Sequence, residues 1–156
     1  MVESYKKTNM CKIDRVEKAK ELFLKGFNCS QAVFAAFADK YGISEELALR
    51  LSGAFGAGFG GTREVCGAVS GITLVCGLEC GATTGDQSAK KACYLKEQEL
   101  IEKFKKIHGT IICRERLKIG NTKEFPMASE RTKEYYAKRP CLKVIMDAAQ
   151  IIEDEF

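Results

Sequence analysis

Tryptophan is absent from this chain, histidine occurs once, as His108, and only two prolines punctuate 156 residues. A single histidine all but excludes Cys–His nucleophile pairs and metal sites built from several imidazoles. No Cys-x-x-Cys occurs anywhere. That absence removes the thioredoxin-like dithiol, c-type haem attachment, paired zinc knuckles and the ferredoxin spacing together. The longest apolar stretch, residues 65–82, is glycine-rich and carries Glu79, which suits a buried helix better than the ~20 apolar residues of a membrane span. The N-terminal segment has neither an apolar h-region nor a twin arginine, so the expected location is cytoplasmic. No basic arm with interleaved aromatics is present, and the net charge is a modest +4. Lys103, Lys105 and Lys106 read as one solvated helix face. Neither nucleic acid nor a membrane is an expected partner.

What the chain does have is cysteine, eight in all. In a reducing compartment, that content points to metal binding, redox chemistry or plain burial rather than a disulfide framework. The length fits one domain, residues 1–156, able to bury its own core. Helical periodicity dominates, which predicts an all-α single-domain bundle of six to eight helices. Helices are expected over residues 13–25, 29–40, from Ser44, from about 62–65 to Glu79, 86–108, a short one capped by Thr110, weakly over 129–138, and from Pro140 to about Glu153. A linker over residues 121–126 is the expected mobile loop.

Four cysteines fall at or near predicted helix starts: Cys29 after Asn28, Cys66 after the glycine-rich segment, Cys113 after Thr110, and Cys141 after Pro140. A helix start presents unpaired N–H groups and the positive end of the macrodipole, which favours a thiolate. Four such residues, remote in sequence, make a candidate site; inert burial is the alternative. The run Gly56-Ala57-Gly58-Phe59-Gly60-Gly61 formally matches G-x-G-x-x-G. It lacks the preceding strand that a dinucleotide site needs. It reads instead as close helix packing, or as a loop whose N–H groups face something anionic beside Cys66. Along one helix, Cys76 lies about 15 Å and Cys80 about 21 Å from Cys66, so neither shares its site. Cys76 and Cys80 share a helix face and could be half of a different site, though burial as small hydrophobes is the preferred reading for them, as for Cys11 and Cys93. His108, beside Gly109, is expected to meet helix-terminal carbonyls.

Cys66-Gly67-Ala68-Val69-Ser70-Gly71, with its glycine-rich approach, resembles the central motif of the C-GCAxxG-C-C family of redox-active proteins, which are named for four cysteines. Cys29 in FNCSQAV matches the first family cysteine, Cys113 the third, and Cys141 in CLKVI the last. The resemblance runs roughly from Leu22 to Ile152. It implies a redox role and an iron–sulfur cluster, and it gives no role to the other four cysteines.

Three functional readings stand beside one another. In the first, Cys29, Cys66, Cys113 and Cys141 converge in an electron-transfer protein, either ligating an iron–sulfur cluster or cycling between thiols and disulfide. Backbone N–H groups of Gly60, Gly61 and Gly67 then tune the bound sulfurs. In the second, the four thiolates hold structural zinc. In the third, the chain is a helical interaction module with inert cysteines. The expected partner is another redox protein, and association of identical copies is left open.

Overall fold

The computed structural model describes residues 12–119 and 129–156. Cys11 and the expected loop at 121–126 lie outside the described residues. Among the described residues, eight regular α-helices and no sheet make an all-α single domain, the segment Gly56–Phe59 being a distorted turn with non-helical backbone inside. They are α1 (Arg15–Leu24), α2 (Cys29–Ala35), α3 (Glu45–Ser52), α4 (Gly67–Cys80), α5 (Gln87–His108), α6 (Cys113–Leu117), α7 (Lys133–Lys138) and α8 (Cys141–Glu155). No helix among them is long and apolar enough to cross a membrane.

Local capping chemistry sets most of the boundaries. The side chains of Asp14, Asn28, Ser44, Asp86 and Thr132 each accept a hydrogen bond from the N3 backbone N–H of their helix. At α2 the cap is reciprocal, because the Gln31 side chain also accepts from the Asn28 N–H at 3.1 Å. Three boundaries differ from the sequence expectation. The α-helix from Cys29 stops at Ala35, and a separate 3-10 turn over Ala38–Tyr41 carries the chain to left-handed Gly42. Residues 62–65 stay outside α4, because Val65 instead pairs antiparallel with Ile112. Thr110 does not cap α6; its hydroxyl accepts from the Ile112 N–H at 3.1 Å, one residue before the helix.

Helix α2 is the hub, and Ala32, Val33, Phe34 and Ala35 on it are all essentially inaccessible. It packs against α1, α3, α4 and α8. Gly71 explains why α4 can come so close: a Cβ there would lie 2.6 Å from the Val33 Cβ. Phe23, Ile72, Val75, Leu100, Phe104, Ile145 and Ile152 fill the remaining core. The result is a rigid frame in which the N-terminal ends of α2, α4, α6 and α8 meet on one side.

Candidate functional site

A cavity of about 370 Å³ opens where those helix ends meet, and Cys29, Cys66, Cys113 and Cys141 all line it. Each cysteine is delivered by a local device. Cys29 and Cys141 are the first residues of α2 and α8, set by Asn28 and Pro140 respectively. Cys66 is the N-cap residue of α4, and Cys113 opens α6. A short antiparallel ladder brings the last two together: the Cys66 N–H donates to Ile111 O (2.7 Å) and the Cys113 N–H to Glu64 O (2.6 Å).

The glycine-rich segment shapes the wall beside them. Ala57, Gly58, Phe59, Gly60 and Gly61 are five successive residues with positive φ, and Arg63 follows at +61°. Left-handed backbone costs a non-glycine residue roughly 1–2 kcal/mol, so such a run survives only where its surroundings hold it. Here the Arg63 N–H donates to Ala57 O (3.1 Å) and the Glu64 N–H to Gly58 O (2.9 Å). This folded-back loop puts Arg63, only 3 % exposed, into the cavity wall. Gly60, Gly61 and Gly67 also line the cavity. However, the N–H groups of Gly60 and Gly61 both turn to Gly56 O. The donors that favour a thiolate at Cys66 are instead Ala68 and Val69, although no capping bond closes there.

Four arginines, Arg63, Arg116, Arg131 and Arg139, line the same cavity, and no Asp or Glu is among its lining residues. Aromatic faces and neutral acceptors hold three of the arginines. Arg131 stacks on Phe23 (4.5 Å) and Tyr135 (4.7 Å) and donates to Phe27 O (3.2 Å). Arg139 stacks on the Tyr135 ring at 4.6 Å and reaches Ser129 Oγ at 3.1 Å. Arg116 lies over Phe104 at 5.7 Å and donates to His108 O at 3.3 Å. Held this way, their charge is not neutralised by a carboxylate and remains available to the sulfurs.

The sulfurs do not behave alike. Cys141 is pulled down to about 7, first by the hydrogen bond from Cys29 and then by Arg139, Arg116 and Arg131, against the cost of burial. Cys29 is driven well up by that same bond, by burial and by the charges of Cys141, Cys66 and Cys113. Burial pushes Cys66 up to about 11, and raises Cys113 despite a hydrogen bond from Arg63. The expectation that every helix start favours a thiolate therefore fails at three of the four positions. Desolvation and mutual repulsion outweigh the macrodipole there.

This pattern has a consequence for stability. A thiol whose folded pKa is raised stabilises the fold below its unfolded pKa, and that contribution is lost as pH rises through the folded value. For Cys66, a rise from 9.0 to about 11 corresponds to about 2–3 kcal/mol. Urea unfolding midpoints measured from pH 8 to pH 11 should therefore fall, and a Cys66→Ser variant should fall less.

His108 does not meet helix-terminal carbonyls through its ring. Its Nε2 lies 3.1 Å from Asp147 Oδ2 on α8, and the ring packs on Phe104 at 4.6 Å. Sequence reasoning missed the arginines, although a signal was present: Arg63, Arg116 and Arg139 each stand two or three residues from a quartet cysteine. It also missed how the remaining cysteines assemble. Cys76 and Cys80 on α4 and Cys93 on α5 have sulfurs all within 4.8 Å of one another, the only such group of three among the described residues. No three of the quartet sulfurs form such a group.

An all-helical frame encloses a basic, four-cysteine cavity, and among the described residues no strand precedes the glycine run, as a dinucleotide site would need. The chain belongs to the family described as "Putative redox-active protein (C_GCAxxG_C_C)", which matches residues 27–155. That span takes in all four quartet cysteines and the arginines around them. No curated protein and no solved structure matches the chain.

Proposed function

We propose that the cavity is a two-electron thiol redox centre in which Cys29 and Cys141 are the working pair. What carries this reading is that Cys29 and Cys141 line one cavity and perturb each other in opposite senses, Cys141 down to about 7 and Cys29 well up. One partner is thus about half thiolate near neutral pH while the other retains its proton, the state from which thiol–disulfide exchange starts. The Cys141 thiolate attacks a disulfide of a partner protein, forming a mixed disulfide and releasing one partner sulfur as thiolate. Cys29 then loses its proton to solvent or to that leaving thiolate and attacks Cys141. The Cys29–Cys141 disulfide forms and the second partner sulfur departs, so two electrons pass from this chain to the partner. Arg139, Arg116 and Arg131 stabilise the attacking charge, and Arg63 does so at Cys113. This basic rim favours a partner that presents acidic groups around its disulfide.

A second reading is supported by the presence of Cys66 and Cys113 in the same cavity. Four cysteines lining one cavity, with N–H donors at Cys66 and arginines around, suit an iron–sulfur cluster, whose charge such donors offset. Cys29, Cys66, Cys113 and Cys141 would hold it, and it would supply one-electron chemistry. The experiment counts free thiols in protein equilibrated with dithiol/disulfide buffers, in parallel with iron and sulfide analysis of protein prepared without oxygen. The thiol-pair reading expects one transition consuming two thiols in iron-free protein. Stoichiometric iron and sulfide, with no such transition, would replace it by the cluster reading.

A further inference from the structure

The strongest feature outside the basic cavity is the group of three sulfurs on its far side. Cys80 Sγ lies 3.5 Å from Cys76 Sγ and 3.2 Å from Cys93 Sγ, and all three lie within 4.8 Å of one another. Thiolates around one tetrahedral zinc ion, at Zn–S distances of about 2.3 Å, are separated by roughly 3.8 Å, and both spacings lie a few tenths of an ångström below that value. The sequence separations explain the convergence. Cys76 and Cys80 stand four apart and therefore share a face of α4, and the reversal over residues 81–86 brings α5 back beside them.

A carboxylate stands beside Cys76, outside the group of three whose ligand atoms all lie within 4.8 Å of one another. Glu97, one turn beyond Cys93 on α5, accepts from Thr73 Oγ1 (2.5 Å) through Oε1. Its Oε2 is buried without a hydrogen-bond partner. The same carboxylate contributes to the raised pKa of Cys76, whose largest cause is burial. Three crowded thiols, with a buried and unpaired carboxylate oxygen on a residue that interacts with Cys76, form a costly arrangement unless a cation joins them. Cys76 is only 1 % exposed, whereas Cys80 and Cys93 are half-buried, so the group has an inner anchor and an open side for entry.

We propose that Cys76, Cys80, Cys93 and Glu97 form a metal site for a thiophilic divalent cation, Zn²⁺ being the natural occupant, separate from the quartet. Bound there, the ion ties α4 to the first half of α5 and closes the 81–86 loop, which is a structural role. Thr73 is the positioning residue for Glu97, since its hydroxyl holds one oxygen of that carboxylate and leaves the other without a partner. Each thiol must lose its proton to bind, so uptake of the ion releases protons and strengthens as pH rises.

The test titrates Zn²⁺ into the fully reduced full chain against a chromophoric chelator, and then maps iodoacetamide labelling cysteine by cysteine. One equivalent should bind and protect Cys76, Cys80 and Cys93 from alkylation. Cys80→Ser and Cys93→Ser, checked for helicity by circular dichroism, should each weaken binding by more than about 100-fold, beyond the ~10–100-fold that outer-shell changes cost. Glu97→Gln should weaken it by about tenfold. A Cys29→Ser/Cys141→Ser double variant should bind as the parent does, which keeps this result independent of the redox reading. Undiminished affinity in Cys80→Ser and Cys93→Ser, or unprotected alkylation of the three cysteines at saturating zinc, would overturn the proposal.

Discussion

Replacing Cys141 by serine is expected to abolish the two-electron thiol transition outright while leaving the helical fold intact. Cys141 is the one quartet sulfur pulled down to about 7, so it is the nucleophile that begins exchange. A serine hydroxyl is nearly isosteric but does not form a disulfide. Cys29 cannot substitute for it, because burial and the neighbouring sulfurs hold its proton on. A graded companion is Arg139→Gln, which removes the first of the guanidiniums favouring the Cys141 thiolate. Labelling of Cys141 followed against pH should then show its midpoint displaced upward from about 7, with total thiol content unchanged. The sign is fixed, since losing a cation near a thiolate stabilises the protonated form. An unchanged midpoint would mean that the hydrogen bond from Cys29 acts alone.

Gly58→Ala is expected to be the most damaging single methyl addition at the cavity wall. Gly58 has φ of +72°, and a Cβ there would lie 2.6 Å from the Glu64 N and 2.7 Å from the backbone of Arg63. Two backbone groups cannot swing aside as a side chain would. The conformational cost of about 1–2 kcal/mol is thus joined by displacement of the strand that carries Arg63 and Glu64. A total loss of about 2–4 kcal/mol is expected, read as a lowered thermal midpoint. The same shift should disturb the bond from Cys113 N–H to Glu64 O, so Cys113 should label faster. Gly60→Ala is the control: its φ is also positive, at +62°, yet nothing stands closer than 3.6 Å. It should cost only about 1–2 kcal/mol and leave Cys113 labelling unchanged. Equal effects at the two positions would show that the close backbone contact at Gly58 is unimportant.

Helix starts were readable from the sequence because caps are local. Asn28, Ser44, Asp86 and Pro140 each fix a boundary through residues within one turn, and three of the quartet cysteines inherit their placement from such boundaries or from Cys113's position in its short helix. Their shared helix-start character made a common site a hypothesis, and all four line one cavity. Their protonation was not foreseeable, because burial and cross-repulsion depend on which ends meet in space. The pairing of Val65 with Ile112 joins residues 47 positions apart, and a two-residue ladder leaves no periodicity to detect. The Gly60 and Gly61 N–H groups were expected to face sulfur, and the backward fold of their own loop commits them to Gly56 O instead. The sulfur trio illustrates the same limit. The i, i+4 relation of Cys76 and Cys80 was visible on one helix, but Cys93 and Glu97 join them only because α5 packs antiparallel against α4.

The most direct test of the central claim is peptide mapping of the full chain poised in a dithiol/disulfide buffer at the midpoint of its thiol transition, trapped by acid and alkylated. The account predicts one dominant cross-linked species, Cys29 joined to Cys141, with Cys66 and Cys113 recovered as alkylated thiols. Recovery of Cys29 and Cys141 as free thiols at every potential, with any disulfide located elsewhere in the chain, would contradict it.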